Sequence, residues 1–463
     1  MAIIEEKSID FIPEGERHGS VWNLARIWLA INFGALCIGT GAVNITLGLN
    51  LAWSILAVII GNLLGALLMA AHSAQGPHLG IPQMIQSRAQ FGVVGAIIPL
   101  ILVVIMYVGF ASSSLIYNAQ TFVALFPTAP LNVVIILTSI PTAIIAIIGY
   151  DAIHTSFKWL ANVLTVLFII VTAYAFFIPV APGTFTFGPV DFGMFLLAVS
   201  ISATWQVAFA PYVADYSRYL PRNTRTSTTF WMTYGGTVIG AIWMMSLGAF
   251  LATQLPNFFD NQMAALSKLF PIPSLFLIVC FLGMILACTM NLYGSFMATI
   301  TTLQPICGIK GSQKNRVIII CAVSVVICLI SVYASANFMT LYGMFLQVLL
   351  YFMIPWTSIN LVDFYFIKHG KYNVEAMFDS KGQYGRINWK TLFVYFSTVV
   401  IEIPFISATW YTGPFATALH GGDVAWFVGG IYAAILYYFL NRKNIIAKSS
   451  NEQDSFKEEK NVI

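Results

Sequence analysis

Between Val21 and Leu440 the chain is a near-continuous series of apolar runs, each long enough to cross a bilayer and parted from the next by a short polar stretch. A helix needs about 20 apolar residues to cross ~30 Å of hydrocarbon, because it rises ~1.5 Å per residue. In lipid every backbone polar group must also be satisfied within the fold, and helices do this segment by segment. With 59% hydrophobic and 9% charged residues the chain lacks the polar surface to enclose a soluble core. The sequence predicts an all-α polytopic membrane protein.

Twelve spans are predicted. The first six run Val21–Leu47, Ala52–Ala71, Val93–Leu125, Asn132–Gly149, Phe157–Ile178 and Phe192–Tyr219. The others run Thr228–Thr253, Pro273–Leu303, Val317–Tyr333, Phe338–Phe366, Trp389–Ser407 and Val424–Leu440. With this count Arg26, Arg88, Lys158, Arg222, Arg225, Lys310, Lys314, Arg316, the Lys368 to Lys390 segment and Arg442/Lys443 fall on the side of the N-terminus, and only Lys268 falls opposite. The positive-inside rule then predicts cytoplasmic termini in the plasma (inner) membrane. The expected organisation is a tail (1–20), a ten-helix core (21–366), a loop (367–388), two additional helices (389–440) and a second tail (441–463). The start lacks a short apolar core with a cleavage site, so no signal peptide is expected. The six cysteines lie in or beside apolar segments without CxxC spacing, so neither disulfides nor zinc are expected.

An enzyme in the bilayer would need paired acids, a histidine cluster or a nucleophile with its base. No such set is present: the histidines are predicted in loops or tails, and Glu402 is the one acid in mid-span. The spans instead carry neutral hydrogen-bonding groups beside glycines and aromatics, which suits an uncharged cargo. In the first span Asn32, Gly34, Gly39, Gly41 and Asn44 interrupt the apolar run. In the sixth, Pro211 removes a backbone donor and disfavours helical geometry at Ala210. Two interrupted helices, each followed by four more spans, predict a substrate site between two five-helix inverted repeats. In the eighth, Gly283, Ala287, Asn291 and Gly294 or Ser295 form a stripe that admits a neighbouring helix. In the third, Tyr107 and Phe110 flank Gly109 ahead of Ser112 to Ser114.

The segments GPHLGIPQMIQSRAQFG (Gly76–Gly92), GNLLGALLMAAHSA before it, APYVADYSRYLP (Ala210–Pro221), PEGERHG near the start and NLYGS (Asn291–Ser295) resemble nucleobase-cation symporter family 1. The resemblance is closer to its purine-cytosine permease branch than to its hydantoin branch. It implies a leucine-transporter-like core with alternating access around a midplane site, and import of a nucleobase or related small heterocycle with H+ or Na+. It also implies a flat ring sandwiched between Tyr107 and an aromatic of the sixth span at Trp205 or Gln206, with Phe209 one turn below. Asn291 matches the carboxamide of the eighth span, and Asn32 and Gly34 at the first break complete the candidate substrate set. Ring stacking with carboxamides suits a planar base, because an amide offers one donor and one acceptor to its edge.

For a coupling cation the resemblance points to the backbone of Ala30 and Phe33 and to two eighth-span hydroxyls, which align here with Cys288 and Thr289. A thiol is a poor ligand for a hard cation, which tilts the expectation toward a proton, with Glu402 and Asp215 as candidate carriers. Asp215 and Arg218, at i and i+3, are the expected gate at the inner mouth. No organic cofactor and no nucleic-acid polymer are expected; the partners are the heterocycle, the cation and the lipid, and a monomer suffices. A passive channel or facilitator is the alternative.

Overall fold

The computed structural model describes residues 11–17, 19–255, 257–309 and 312–442, except the side chains of residues 150–158. Most of both predicted tails, with His18, Lys310 and Lys443, and the side chains of His154 and Lys158 lie outside the described residues.

The chain is helical almost throughout. A kinked pair, α1 (Val21–Ala30) and α2 (Ala35–Thr46), is followed by α3 (Leu51–Ser73), two short helices α4 (Gln75–Leu79) and α5 (Gln83–Phe91), and the long α6 (Ile97–Leu125). Next come α7 (Leu131–Ile148), α8 (Tyr150–Ala175), a second interrupted pair α9 (Phe192–Val207) and α10 (Val213–Ser217), and α11 (Thr226–Gln254). The remainder is α12 (Gln262–Ser267), α13 (Pro273–Cys307), α14 (Gln313–Ala334), α15 (Phe338–Val362), α16 (Trp389–Glu402), α17 (Pro414–Ala418) and α18 (Ala425–Asn441). A two-residue hairpin, β1 (Ser407–Ala408) with β2 (Tyr411–Thr412), precedes α17. Side chains that accept the orphan N–H groups fix several starts: Asn50 for α3, Asp191 for α9, Asn261 for α12, Ser312 for α14 and Asn388 for α16.

These segments overlie the predicted runs. Among the described residues seven are long and apolar enough to cross a membrane, or eight if the α1/α2 pair counts as one bent span. One of them, residues 313–367, is 55 residues long. As one rod it would extend ~80 Å at ~1.5 Å per residue, far beyond a bilayer, so two spans must meet in it. The turn at Ser335–Asn337, where Asn337 leaves helical geometry (φ −130°, ψ 41°), marks the junction.

Both predicted breaks are present. α1 stops where the Asn32 amide bonds back to the Trp28 carbonyl (2.7 Å) and Gly34 adopts extended backbone; α2 departs at 55°. α9 stops at Val207, and the chain passes through a single 3-10 turn, Ala210–Tyr212, carrying Pro211. The second pair is the most enclosed of the candidate spans, with 83% of its apolar window buried against 17% for residues 313–367. Close approach is set by glycine: a methyl at Gly41 or Gly248 would overlap the backbone of the facing helix, at Met245 and Ile38 respectively. Outward faces carry exposed Leu137, Ile140 and Ile144 on α7 and Val325 and Leu329 on α14, a surface that suits lipid.

Two histidines stand elsewhere than expected. His72 lies inside α3 and is fully buried, because the helix runs two residues past the predicted end, where Ser73 and His72 find partners in Thr233 and Gln83. His154 stands on α8, which begins directly after Gly149, whose φ of 106° favours glycine. The 367–388 segment is fastened to residues 91–95 by backbone bonds, including Val93 N–H to the Gly385 carbonyl (3.1 Å) and Asn388 N–H to the Phe91 carbonyl (2.8 Å).

Candidate functional site

The two breaks meet. Asn32, at the end of α1, is fully buried, and its Oδ1 accepts a hydrogen bond from Trp205 Nε1 on α9 (2.7 Å). Its amide nitrogen reaches the Thr237 hydroxyl on α11 (3.3 Å). That hydroxyl donates to Gln206 Oε1 (2.7 Å), and Gln206 Nε2 donates to Asn62 Oδ1 on α3 (2.8 Å). Thr237 is therefore the hinge of a chain of three carboxamides, and each member is neutral. Such a set can be desolvated without the several kcal/mol that each buried ion costs. Asn62 and Thr237 escaped the sequence reading, although each sits between glycines in mid-span (Gly61 and Gly65; Gly236 and Gly240).

Aromatic rings line the same place. Trp205 meets Phe110 of α6 edge-on (6.1 Å) and Phe209 below it (5.5 Å). Phe209 meets Trp28 (5.4 Å) and Tyr212 (5.9 Å), and Tyr212 lies 5.5 Å from Tyr107 at a tilt of 32°. Phe345 of α15 closes on Phe110 at 5.3 Å. The ring facing Trp205 from α6 is thus Phe110, and Tyr107 faces Tyr212 one turn away. Asn291 is half-buried on α13; its amide bonds the Ala287 carbonyl (2.9 Å), and its link to the cluster is Gly294, one turn on, against which Tyr107 packs. At Gly34 nothing lies within 4 Å of where a side chain would begin, so the backbone of the first break is open.

The end of the bundle at which α1 begins, the near end, is closed over this cluster. Asp215 Oδ1 accepts the Gln83 backbone N–H (2.7 Å), Ser217 Oγ donates to the Ser73 carbonyl (2.6 Å), and the Gly19 N–H donates to the Tyr219 carbonyl (2.8 Å). Arg218 stacks over Tyr219 (5.3 Å). Asp215 and Arg218 both stand at this end, Asp215 held by the first backbone N–H of α5 and Arg218 following directly on α10. Arg222 pairs with Glu14 (2.8 Å) in the open; the bond to Arg222 holds the Glu14 carboxyl below the usual range. Arg88, on α5, is buried against the Thr301 carbonyl (3.2 Å), and burial pulls its guanidinium down to about 10, so it stays cationic at neutral pH.

At the opposite, far end a cavity of about 400 Å³ lies among Thr46, Tyr117, Gln120, Gln262, Phe338 and Met339. Pockets of ~300–1,000 Å³ accommodate small organic ligands. Its floor is Gln262, which accepts from Tyr117 OH (2.7 Å) and donates to the carbonyl of Ala35, the first residue of α2 (2.9 Å).

Of the cation candidates, the Ala30 carbonyl accepts the Phe33 N–H (3.0 Å). Cys288 Sγ lies 3.4 Å from the Ala111 carbonyl, and the Thr289 hydroxyl donates to the Ile285 carbonyl (2.8 Å). Among the described residues no three His, Cys, Asp or Glu side chains form a metal cluster.

A further polar chain was not legible in the sequence. His72 stacks flat on Trp356 (4.8 Å) and is bonded to Gln83, which reaches Gln75 (3.1 Å); Gln75 bonds Asn360 (2.7 Å), and Asn360 bonds Gln90 (3.4 Å). The chain ends on Asp363, a buried acid held by Gln90 (3.1 Å), Tyr372 (2.7 Å) and Tyr437 (3.0 Å). A second buried acid, Asp423, precedes α18; burial raises its carboxyl above the usual range, against hydrogen bonds from Tyr351, Gln347, Ser407 and Ala425 that lower it.

Residues 11–429 match the family described as permeases for cytosine/purines, uracil, thiamine and allantoin. The chain is 45% identical over 451 residues to a candidate purine-cytosine permease, YxlA, of Bacillus subtilis (strain 168), with 97% of this chain and 98% of the relative covered. It is 26% identical over 459 residues to the purine-cytosine permease fcyB of Emericella nidulans, covering 94% and 88%. Among solved structures it resembles the inward-facing conformation of Mhp1 (TM-score 0.75, 18% identity, 96% and 95% covered). The closed conformation of Mhp1 with bromovinylhydantoin bound is similar too (TM-score 0.72, 17% identity, 94% of each chain). At these identities the structural likeness establishes the fold: a helical, leucine-transporter-like arrangement.

Proposed function

The chain belongs to the family of permeases for cytosine/purines, uracil, thiamine and allantoin, and on that footing we propose that it is a secondary active transporter importing a purine or pyrimidine nucleobase, or a related small neutral heterocycle, by cation symport. The observation that carries this reading is the meeting of the two helix breaks at Asn32, Trp205 and Gln206, in a buried and uncharged setting. Trp205, Phe209 and Tyr107 supply ring faces, with Phe110 added from the geometry. Asn32, Gln206 and Asn291 supply carboxamides for the base edge, and Gly34 leaves backbone accessible at the break. Each of these amides is bonded within the protein here, Asn32 to Trp205 and Thr237, Gln206 to Thr237 and Asn62, and Asn291 to the Ala287 carbonyl, so a base enters by exchanging such bonds for its own, which favours a cargo with both donors and acceptors.

Asp215 and Arg218 close the near, cytoplasmic mouth; the far cavity above Gln262 is the outer vestibule; the chain crosses the plasma membrane in the twelve spans predicted from its sequence, with both termini inside. The ten-helix core and its two added helices work as a monomer. The coupling ion is H+ or Na+, with Ala30, Phe33, Cys288 and Thr289 the sodium candidates; a single hydroxyl beside a thiol favours the proton.

Counterflow in proteoliposomes tests the reading. Labelled cytosine, adenine, hypoxanthine, uracil and allantoin are each offered to vesicles preloaded with the unlabelled compound, with and without Na+ and pH gradients. At least one should exchange, and should accumulate down one gradient. Exchange without accumulation under either gradient would instead identify a passive facilitator.

A further inference from the structure

Resting on the symport reading, we propose that Glu402 is the coupling-proton site: a buried carboxyl that carries a proton in this state, with the hydrogen-bonded Asp423 relaying its protonation to the broken helix α9.

Donors are divided unequally between the two acids. Asp423, 1% exposed, takes all those at hand: Oδ2 accepts from Tyr351 OH, Gln347 Nε2 (2.9 Å) and the Ser407 N–H (3.2 Å), and Oδ1 from the Ala425 N–H (3.2 Å). Glu402 has no exposed surface, and neither of its carboxyl oxygens has a hydrogen-bond partner. Its carboxyl lies flat against Gly429 of α18, where even a methyl would overlap it. An ionised carboxylate without water or donors is very costly, and an anion alongside raises the cost. A neutral acid in the same place is far cheaper, so the ligand that this pocket requires is a proton.

The titratable groups acting on Glu402 are Asp423 at the entry to α18, Tyr351 on α15 and Tyr395 on its own helix. The Ile403–Phe405 turn brings none, and α5 meets α16 at its other end, where Thr391 bonds the Gln90 carbonyl. Among the described residues that act on it there is no basic side chain to replace the proton.

The site is wired to the substrate helices. The Asp423 carbonyl accepts from Ser200 Oγ on α9 (3.3 Å), and Trp426 Nε1 donates to the same hydroxyl (3.0 Å). Tyr351 and Gln347 belong to α15, which also carries Phe345 against Phe110. Losing the Glu402 proton to water on the cytoplasmic side breaks its O–H bond, forms hydronium there and leaves a second buried carboxylate near Asp423. Relief comes from moving α15 and the start of α18, and hence α9, which is a two-state element biased by the proton.

Uptake, counterflow and infrared difference spectra of wild type and Glu402→Gln test this. With one proton per base, wild type should accumulate cytosine, or whichever base exchanges, about tenfold per unit of pH gradient. E402Q should still exchange label in counterflow but accumulate nothing, and base-driven proton entry, followed with a trapped pH dye, should vanish. At neutral pH a protonated-carboxyl band should shift when base is added to wild type and be absent from E402Q. Proton-coupled accumulation by E402Q equal to wild type, or no such band in wild type, overturns the proposal; the band test holds even if E402Q does not fold. Accumulation driven by Na+ alone overturns it too and leaves the symport reading standing. Failure of every base to exchange in wild type condemns the symport reading itself.

Discussion

Thr237→Val keeps the shape of the side chain at the junction of the broken helices and removes one hydroxyl. In the native structure that hydroxyl is the donor recorded for Gln206 Oε1 (2.7 Å) and an acceptor for the Asn32 amide (3.3 Å). Valine leaves Gln206 Oε1 buried without its donor, and stranding a buried carbonyl costs about 1–3 kcal/mol. It also removes one of the two bonds that tell the ends of the Gln206 amide apart. Nε2 keeps its bond to Asn62, so one restraint in place of two holds the amide with the right edge toward a base. If that whole cost falls on the base-bound state, affinity drops about 5- to 150-fold. Equilibrium binding of labelled base to purified protein measures it, with Thr237→Ser as the control that restores the hydroxyl and should bind like wild type. Wild-type affinity in T237V, alongside a Gln206→Ala variant that has lost binding, would refute the argument that Thr237 orients the amide.

Three more outcomes are expected. Cys288→Ser, which places a second hydroxyl next to Thr289, should raise the stimulation of uptake by Na+; unchanged sodium dependence would remove these two positions from the cation candidates. Asp215→Asn keeps an acceptor for the Gln83 N–H but removes the charge, so net uptake should fall several-fold while equilibrium binding stays within about twofold, a difference of ~0.4 kcal/mol; equal losses in both would contradict a gate role. Because burial raises the Asp423 carboxyl in the folded protein, the fold binds its proton more readily than the unfolded chain does. Its contribution to stability is therefore fully present below the ordinary carboxylate range and is lost as pH rises through the raised value. Thermal midpoints of wild type should fall across that window relative to those of Asp423→Asn, and parallel curves would argue against it.

The breaks were legible because their causes are local. Pro211 lacks an N–H wherever the rest of the chain goes, and Asn32 and Gly34 weaken a helix by their own chemistry. Partner choice was not legible, since Asn62, Thr237 and Gln206 stand on three different helices and sequence spacing says nothing about which amides meet. That Phe110, one turn from Tyr107 on α6, is the ring that meets Trp205 was not legible either, because side-chain direction there is set by packing, of Phe110 against Phe345 of α15 and of Tyr107 against Tyr212 and Gly294. Glu402 drew notice as an acid in an apolar run. Asp423 did not, because in sequence it looks like an ordinary loop residue, and only the fold brings it under Tyr351 and Gln347.

The contact between the Asp423 carbonyl and Ser200 bears on where the protein could be cut. A fragment ending before Trp389 would face lipid with the Gln347 amide and the Tyr351 phenol stripped of their present companions, and with the Ser200 hydroxyl left only its bond to the Leu196 carbonyl. Hydrocarbon offers nothing to replace them, so such a fragment should clump or sag at that wall. The final pair of helices is better regarded as the sealing stave of the barrel than as an appendix to it.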